Sequence, residues 1–346
     1  MKINNYDQYF PIYNNVNAYG VIRQSTEDFK VTEINTIDFT GNGEHLWLYL
    51  QKTDSNTDWV AKQLAKICQI PPSQVGYAGL KDRQAVTTQW FSIQLPKVNE
   101  TEQIQAALPE ELLILKSCRH NKKLKTGGLK GNHFKLLIRN IQGDKQAIEK
   151  NIDQLVKQGV PNYFGSQRFG HNMGNVQRAI DWFDGKFRPK NRNLKSLLLS
   201  TARSWIFNHI VAERIKTGHW LKPLPGDIYQ LDGSHSWFLD DSEKAQIIKR
   251  LKSQDIHITA ALWGEDSLQS QADTAILEKT IANRFPEILI GMSQHRLKHD
   301  RRACRITVAD LEYQWLKENL QIQFTLGAGS YATAVLREII NTSSNR

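Results

Sequence analysis

Apolar and polar side chains alternate through the first third of the chain. Asp28-Phe29-Lys30-Val31-Thr32-Glu33-Ile34 repeats with a period of two, Leu46, Leu48 and Leu50 mark one face of a second segment, and Gly20 to Gln24 has the same character, so each predicts a strand. Between Thr57 and Ile70 the period changes: Trp59, Val60, Leu64 and Ile67 recur at helical spacing until Pro71-Pro72 stops them. The β-branched and aromatic run from Ala85 to Leu95 predicts another strand. Leu112 to Ser117 and Phe134 to Ile141 add two more, followed by a helix from about Asp144 to Lys157 that ends at Gly159. The middle of the chain differs. A long helix is predicted from Leu194 to Lys216, with Leu197, Leu198, Ala202, Ile206, Ile210 and Ile215 as its apolar stripe and Arg203, Asn208, Glu213 and Arg214 as interruptions. Short strands at Asp227 to Leu231 and Ile256 to Ala261, and helices at Ser242 to Lys252 and Gln271 to Arg284, complete a second α/β unit. Strand-like Cys304 to Val308 and Ile322 to Leu326 precede a final helix near Ser330 that carries Val335, Leu336, Ile339 and Ile340.

Length turns this succession into two expected domains, because 346 residues exceed what one hydrophobic core usually organises. Forty-five Lys and Arg against 35 Asp and Glu give a formal charge of +10. Such an excess points to a polyanionic partner, nucleic acid first, since no basic amphipathic helix suggests a membrane surface. The opening Met1 to Gln8 lacks the apolar core of a secretory signal and no later stretch is long enough to span a bilayer, so a cytoplasmic protein is expected. Three widely spaced cysteines, Cys68, Cys118 and Cys304, fit buried free thiols in a reducing compartment. Zinc catalysis is disfavoured: the ten histidines form no HExxH pattern and no His-x-Glu joined to a Cys pair.

The candidate chemistry centres on Gly79-Leu80-Lys81-Asp82-Arg83, a glycine-led turn immediately before the Ala85 strand. Flanking cations favour an ionised Asp82, available as nucleophile or base, while a turn cap is the plainer reading of such an aspartate. Lys122, Lys123, Lys125 and Lys130, interleaved with Gly127, Gly128 and Gly131, form a basic turn that delivers Asn132 to the start of a strand. Lysines and glycines suit phosphates, and an amide at a strand mouth suits a base edge; a solvated hairpin turn is the alternative. Lys186 to Arg192 and Arg296 to Arg302 are further candidate phosphate contacts. Phe324 to Tyr331 reads as strand, glycine loop and helix start, more in keeping with a turn capped by Ser330 than with a dinucleotide loop, for which the sequence offers no further strand beyond the helix. Asn162 to Gly170, with two aromatics and Arg168 between glycines, reads as a structured turn at a domain junction.

Five strings, GYAGLKDRQAVTTQWFSI, KLKTGGLKGNHFKLLIRN, GVPNYFGSQRFG, STARSWIFNHIVAER and LGAGSYATAVLREIINT, in this order and spacing closely resemble the TruD family of tRNA pseudouridine synthases. The likeness runs from about Phe29 to Thr342, with little from Ile228 to Leu297. It implies an α+β architecture: a pseudouridine synthase-type mixed sheet forming a discontinuous catalytic domain (1–158 and 306–346), with an inserted α/β TRUD domain at 159–305. It also implies isomerisation of uridine 13 in the D arm of tRNA, without cofactor or metal. No dimer seam is evident in the sequence, so a monomer without a protein partner is expected. At matching positions the nucleophile is Asp82 and the uridine pocket takes Phe29, Asn132 and Tyr331, while Lys81 and Arg83 either hold phosphates or tune Asp82. This chain departs from the family in having Tyr331 where members carry Phe and Gly327 where they carry Pro. A non-catalytic RNA-binding protein is the rival from another class, opposed by the intact Asp82 motif.

Overall fold

The computed structural model of the chain describes residues 12–13, 17–95, 101–234, 236–239 and 243–344; Met1 to Gln8 and Ser242, both used above, lie outside them. In chain order come β1 (Tyr19–Ile22), β2 (Phe29–Ile34), β3 (His45–Thr53), α1 (Thr57–Ile67), β4 (Val75–Tyr77) and β5 (Val86–Gln94). Next are α2 (Thr101–Ala107), β6 (Leu112–His120), β7 (Gly131–Gln142), α3 (Lys145–Gln158), β8 (Val160–Pro161) and α4 (Ser166–Phe169). The middle continues with α5 (Gly174–Phe183), α6 (Arg192–Lys216), β9 (Ile228–Leu231), β10 (Trp237–Leu239), α7 (Lys244–Lys252) and β11 (Ile256–Leu262). The chain closes with α8 (Ala272–Ala282), α9 (Pro286–Gln294), β12 (Asp300–Ala303), β13 (Arg305–Ile306), β14 (Ala309–Leu316), β15 (Asn319–Gly327), α10 (Ala332–Ile339) and β16 (Asn341–Ser344).

These elements pack as two compact units, one of residues 16–148, 308–332 and 340–346, the other of 149–307 with 1–15 and 333–339. The packing therefore divides at 148/149 and 307/308, where the sequence expectation divides at 158/159 and 305/306.

The first unit is built on a mixed sheet in the order β14-β15-β7-β2-β5-β3-β6, with β1 joining β7 to β16 and β4 flanking β5. Most neighbours are antiparallel, but β2 and β5 run parallel with Lys30 opposite Val86. That register places the approach to β5, and so the loop carrying Asp82, beside the start of β2. β5 is an interior strand and its residues Val86 to Ile93 are all buried, as its unbroken β-branched and aromatic composition predicts. Leu46, Leu48, Leu50, Phe91 and Ile93 pack with Val60 and Leu64 of α1. Another cluster gathers Trp47, Trp90 and Leu124, with Phe39 against both tryptophans.

The second unit contains an antiparallel sheet ordered β10-β9-β11-β12, with the short β8–β13 pair beside it in sequence but in a separate ladder. Asn191 accepts a hydrogen bond from the Leu194 N–H at 2.9 Å, so α6 starts at Arg192, two residues before the expected Leu194. Asn208 and Arg214, taken as interruptions of the apolar stripe, are fully buried. Asn208 bonds both the N–H and the carbonyl of Phe164, and Arg214 makes two 2.8 Å bonds to Asp227.

Other expectations are corrected. The strand predicted from Cys304 to Val308 shrinks to Arg305–Ile306, paired with Pro161 and Val160, because the ladder before it belongs to Asp300–Ala303 on β11. The last helix begins at Ala332, so Ser330 lies in the turn before it and is not its cap. A strand does follow that helix: β16 pairs in parallel with β1, yet Asn341 to Ser344 supplies no acidic residue for a dinucleotide ribose. Cys68 and Cys304 are buried free thiols, while Cys118 is half-buried. No helix among the described residues is long and apolar enough to cross a membrane.

Glu338, 1% exposed, accepts the backbone N–H groups of Ile12 and Tyr13 at 2.7 and 3.0 Å. Burial raises its pKa to about 7 from a model-peptide 4.5, against the opposing pull of those two hydrogen bonds. Between these values the folded chain holds a proton that the unfolded chain has released, so this carboxyl makes stability fall as pH rises from 4.5 to about 7. Glu338→Gln should flatten that segment of the stability curve, which thermal melts of both proteins across the window will measure.

Candidate active site

The loop between β4 and β5 is fixed from beneath by side chains that water does not reach. Gln89, fully buried on β5, donates from Nε2 to the Gly79 carbonyl at 3.1 Å and accepts the Thr57 hydroxyl at 3.1 Å. Thr57 Oγ1 in turn accepts the Lys81 N–H at 3.0 Å. Lys52 Nζ donates to the carbonyl of Asp82 itself at 3.0 Å and to that of Ser55 at 2.6 Å. Its ammonium is fully buried, and burial lowers its pKa to about 8, with nearby Asp82 resisting the shift. Gly79, Lys81 and Asp82 are thus each tied at the backbone, and the Asp82 side chain is left 37% exposed. A carboxylate held this way faces solvent with little freedom to move, as a nucleophile requires.

Arg23 meets that carboxylate, its Nη2 donating to Asp82 Oδ2. The same guanidinium lies 4.1 Å from the centroid of Phe29, so one cation joins the catalytic candidate to the aromatic candidate. Arg23 directs itself there from a left-handed backbone position (φ 59°) just past the end of β1. Phe29 opens β2 after a turn in which Asp28 bonds the Ser25 N–H and takes a bidentate contact from Arg139 at 2.7 and 2.9 Å. The Asp28 carboxyl titrates below its ordinary value: burial opposes this, and the Arg139 and Ser25 bonds outweigh it.

Asn132 sits on β7 opposite both Glu33 of β2 and Leu326 of β15. Residues paired across an antiparallel ladder share a face, so Asn132 stands on the face that carries Glu33, Val31 and Phe29. Its Oδ1 is buried with no hydrogen-bond partner among the described residues. Glu33 is buried and receives Lys81 Nζ at 3.0 Å; burial raises its pKa while Lys81 pulls the other way. The arrangement brings Phe29 and Asp82 together through Arg23, and links Asn132 to the loop through Glu33 and Lys81. Tyr331 is half-buried in the turn between β15 and α10, and among the described residues no hydrogen bond or ring contact joins it to Phe29 or Asp82.

The cations sort differently from expectation. The Lys81 side chain is only 6% exposed and its ammonium is committed to Glu33, so it is an internal partner and not an outward phosphate contact. Arg83 is exposed beside Asp54, at 3.3 Å. Lys122, Lys125 and Lys130 are exposed on the basic turn, and Lys123 reaches the Ser73 carbonyl. That turn is anchored by Trp47 Nε1 to the Lys122 carbonyl, by the Leu124 N–H to Ser92 Oγ, and by the Gly127 N–H to the Ala78 carbonyl, at 2.9, 2.9 and 2.7 Å. Gly76 makes the close approach possible, since a Cβ there would stand 2.4 Å from the Leu124 oxygen. In the stretch Arg296 to Arg302, Arg301 is buried against Glu278 at 2.7 Å and offers nothing to a phosphate. Among the described residues no cluster of three or more His, Cys, Asp or Glu could hold a metal ion.

Arg23, Lys52, Gln89 and Glu33 are the site residues that sequence reasoning missed. Two of them carry a signal: Lys52 falls in phase with Leu46, Leu48 and Leu50, and Glu33 in phase with Phe29 and Val31, so both charges stand where the alternation demands an apolar side chain.

The profile of the family described as tRNA pseudouridine synthase D (TruD) matches residues 8–181 and 175–339. A protein of that name from Hydrogenovibrio crunogenus is 41% identical over 329 residues, covering 93% of this chain and 94% of the relative. Another, from Nitrosococcus oceani, is 40% identical over 327 residues, 94% and 91% of the two chains. The crystal structure of a TruD protein from Methanosarcina mazei superposes with a TM-score of 0.75 over 98% of both chains at 22% identity, which establishes the shared fold. With the profile spanning nearly its whole length and relatives at this identity, the chain belongs to the TruD family of tRNA pseudouridine synthases.

Proposed function

We propose that this chain isomerises uridine 13 in the D arm of tRNA to pseudouridine, with Asp82 as the residue that opens the reaction. The observation that carries this reading is the Asp82 carboxylate, fixed at its backbone by Lys52 and paired with the same Arg23 that covers Phe29. The tRNA meets the exposed lysines of the 122–130 turn through its phosphates, and the target uridine leaves its stack to expose the glycosidic bond. The Phe29 ring, 1% exposed and covered by Arg23, backs the base pocket from beneath, and the unpartnered Asn132 Oδ1 accepts from a uracil N–H. Arg23, released from Asp82 as substrate enters, remains above Phe29 to meet a phosphate or the uracil oxygen. Asp82 then attacks C1′ or takes a proton at C2′; by either route the C1′–N1 bond breaks, the uracil turns while held, and C5 joins C1′ as the Asp82 oxygen leaves C1′ or Asp82 returns the proton to C2′. The proton lost from C5 is balanced by one gained at N1, so the product has the formula of the substrate and no cofactor is required. Tyr331 supplies a second ring with a hydroxyl where relatives are expected to have Phe.

Purified protein incubated with unmodified tRNA should place pseudouridine at position 13 and at no other position, as read by chemical mapping along the RNA. Pseudouridine elsewhere would refute the positional assignment, and none at all would refute the activity.

A further inference from the structure

Leu80 is 70% exposed, the highest value of any exposed large hydrophobic residue described, and it sits two positions before Asp82. Exposure alone says little about a leucine on a surface. Its setting says more. Gly79 is held through its carbonyl by Gln89, Lys81 through its N–H by Thr57 and through its ammonium by Glu33, and Asp82 through its carbonyl by Lys52. Leu80 is the apolar residue of this run, and its side chain is left outward on a backbone that buried groups fix on both sides. The Lys81 side chain goes inward to Glu33, while the side chains before and after it, Leu80 and Asp82, keep solvent exposure.

We propose that Leu80 is a wedge that enters the RNA stack beside the target uridine and fills the space the flipped base vacates. A branched apolar side chain is the kind of group that proteins insert between base steps, where it replaces stacking contacts without competing for hydrogen bonds. A residue on the same rigid loop as the attacking carboxylate couples the two events: the backbone position that brings Asp82 to the sugar brings Leu80 to the gap. Leu80 is a positioning residue here and takes no part in bond making. This inference rests on the uridine-isomerising function proposed above.

The test compares wild type, Leu80→Ala and Leu80→Met on unmodified tRNA and on the same tRNA with abasic nucleotides on both sides of the target uridine, where no stack needs refilling. Wild type should turn over both. Leu80→Ala should lose roughly tenfold to a hundredfold in kcat/KM on intact tRNA, and less than about threefold on the abasic RNA, with Leu80→Met recovering most of the loss. In an Asp82→Asn background, 2-aminopurine next to the target uridine should brighten on binding when Leu80 is present and stay dim in the Leu80→Ala variant. Equal losses on both RNAs, a Leu80→Ala rate within twofold of wild type on intact tRNA, or undiminished brightening would each overturn the wedge and leave the enzymatic reading intact. Wild type inactive on both RNAs would overturn that reading, and the wedge with it.

Discussion

Asp82→Asn should bind tRNA as wild type does and form pseudouridine roughly a thousandfold more slowly, or not at all. The substitution exchanges one oxygen for an amide nitrogen at nearly constant shape. The remaining carbonyl oxygen can still accept from Arg23, and the backbone carbonyl still receives Lys52, so the loop has no reason to move. Only the charge and the nucleophilic lone pair are lost. Single-turnover mapping of pseudouridine, a gel-shift titration and a thermal melt on the same preparation separate the three properties. A variant that reacts at the wild-type rate would remove Asp82 from the chemistry.

Arg214→Met should destabilise the unit of residues 149–307 by about 3–5 kcal/mol, enough to populate its unfolded form at moderate temperature. Both side chains of the Arg214–Asp227 pair are fully buried, and their two 2.8 Å bonds form a bidentate fork. Removing the cation leaves the Asp227 carboxylate in the interior with the Thr274 hydroxyl and the Leu224 N–H, at 2.9 and 2.8 Å, as neutral donors. The double variant Arg214→Met with Asp227→Leu should recover much of the loss, because no uncompensated charge then remains. Calorimetric melts of the two variants provide the comparison, and a single variant melting with wild type would show that the pair contributes little.

Sequence periodicity reached the strands and helices of the unit that carries Asp82 well where one face is apolar, as in β2, β3 and α1. Short elements escaped it: β4, with three residues, and β12, reading Asp-Arg-Arg-Ala, have no period to detect, and both are held by neighbours distant in sequence. The Asp82 loop was legible because glycine, charge and an ensuing β run coincide there. Arg23 was not, because a left-handed residue just past a strand end turns its side chain where alternation cannot follow. Arg214 reads in the sequence only as an interruption of the apolar stripe, and its partner lies 13 residues on, in a segment read only as a strand. A buried ion pair is a property of two positions, and single positions do not announce it. The basic stretches divide for the same reason, since Lys81 and Arg301 have internal carboxylates and Lys122, Lys125 and Lys130 do not stand in such pairs among the described residues.

The parallel pairing of β1 with β16 sets a schedule for synthesis. Tyr19 to Ile22 leaves the ribosome early and waits for Asn341 to Ser344, more than 300 residues later, before that ladder can form. β15, which pairs with Gly131 to Ile138 of β7, arrives nearly as late. Residues 149–307 emerge before either, but the unit they build also takes residues 333–339, so both units wait on the last part of the chain to close. A chain stalled short of Asn341 therefore carries Asp82 on a sheet that lacks its β1–β16 ladder.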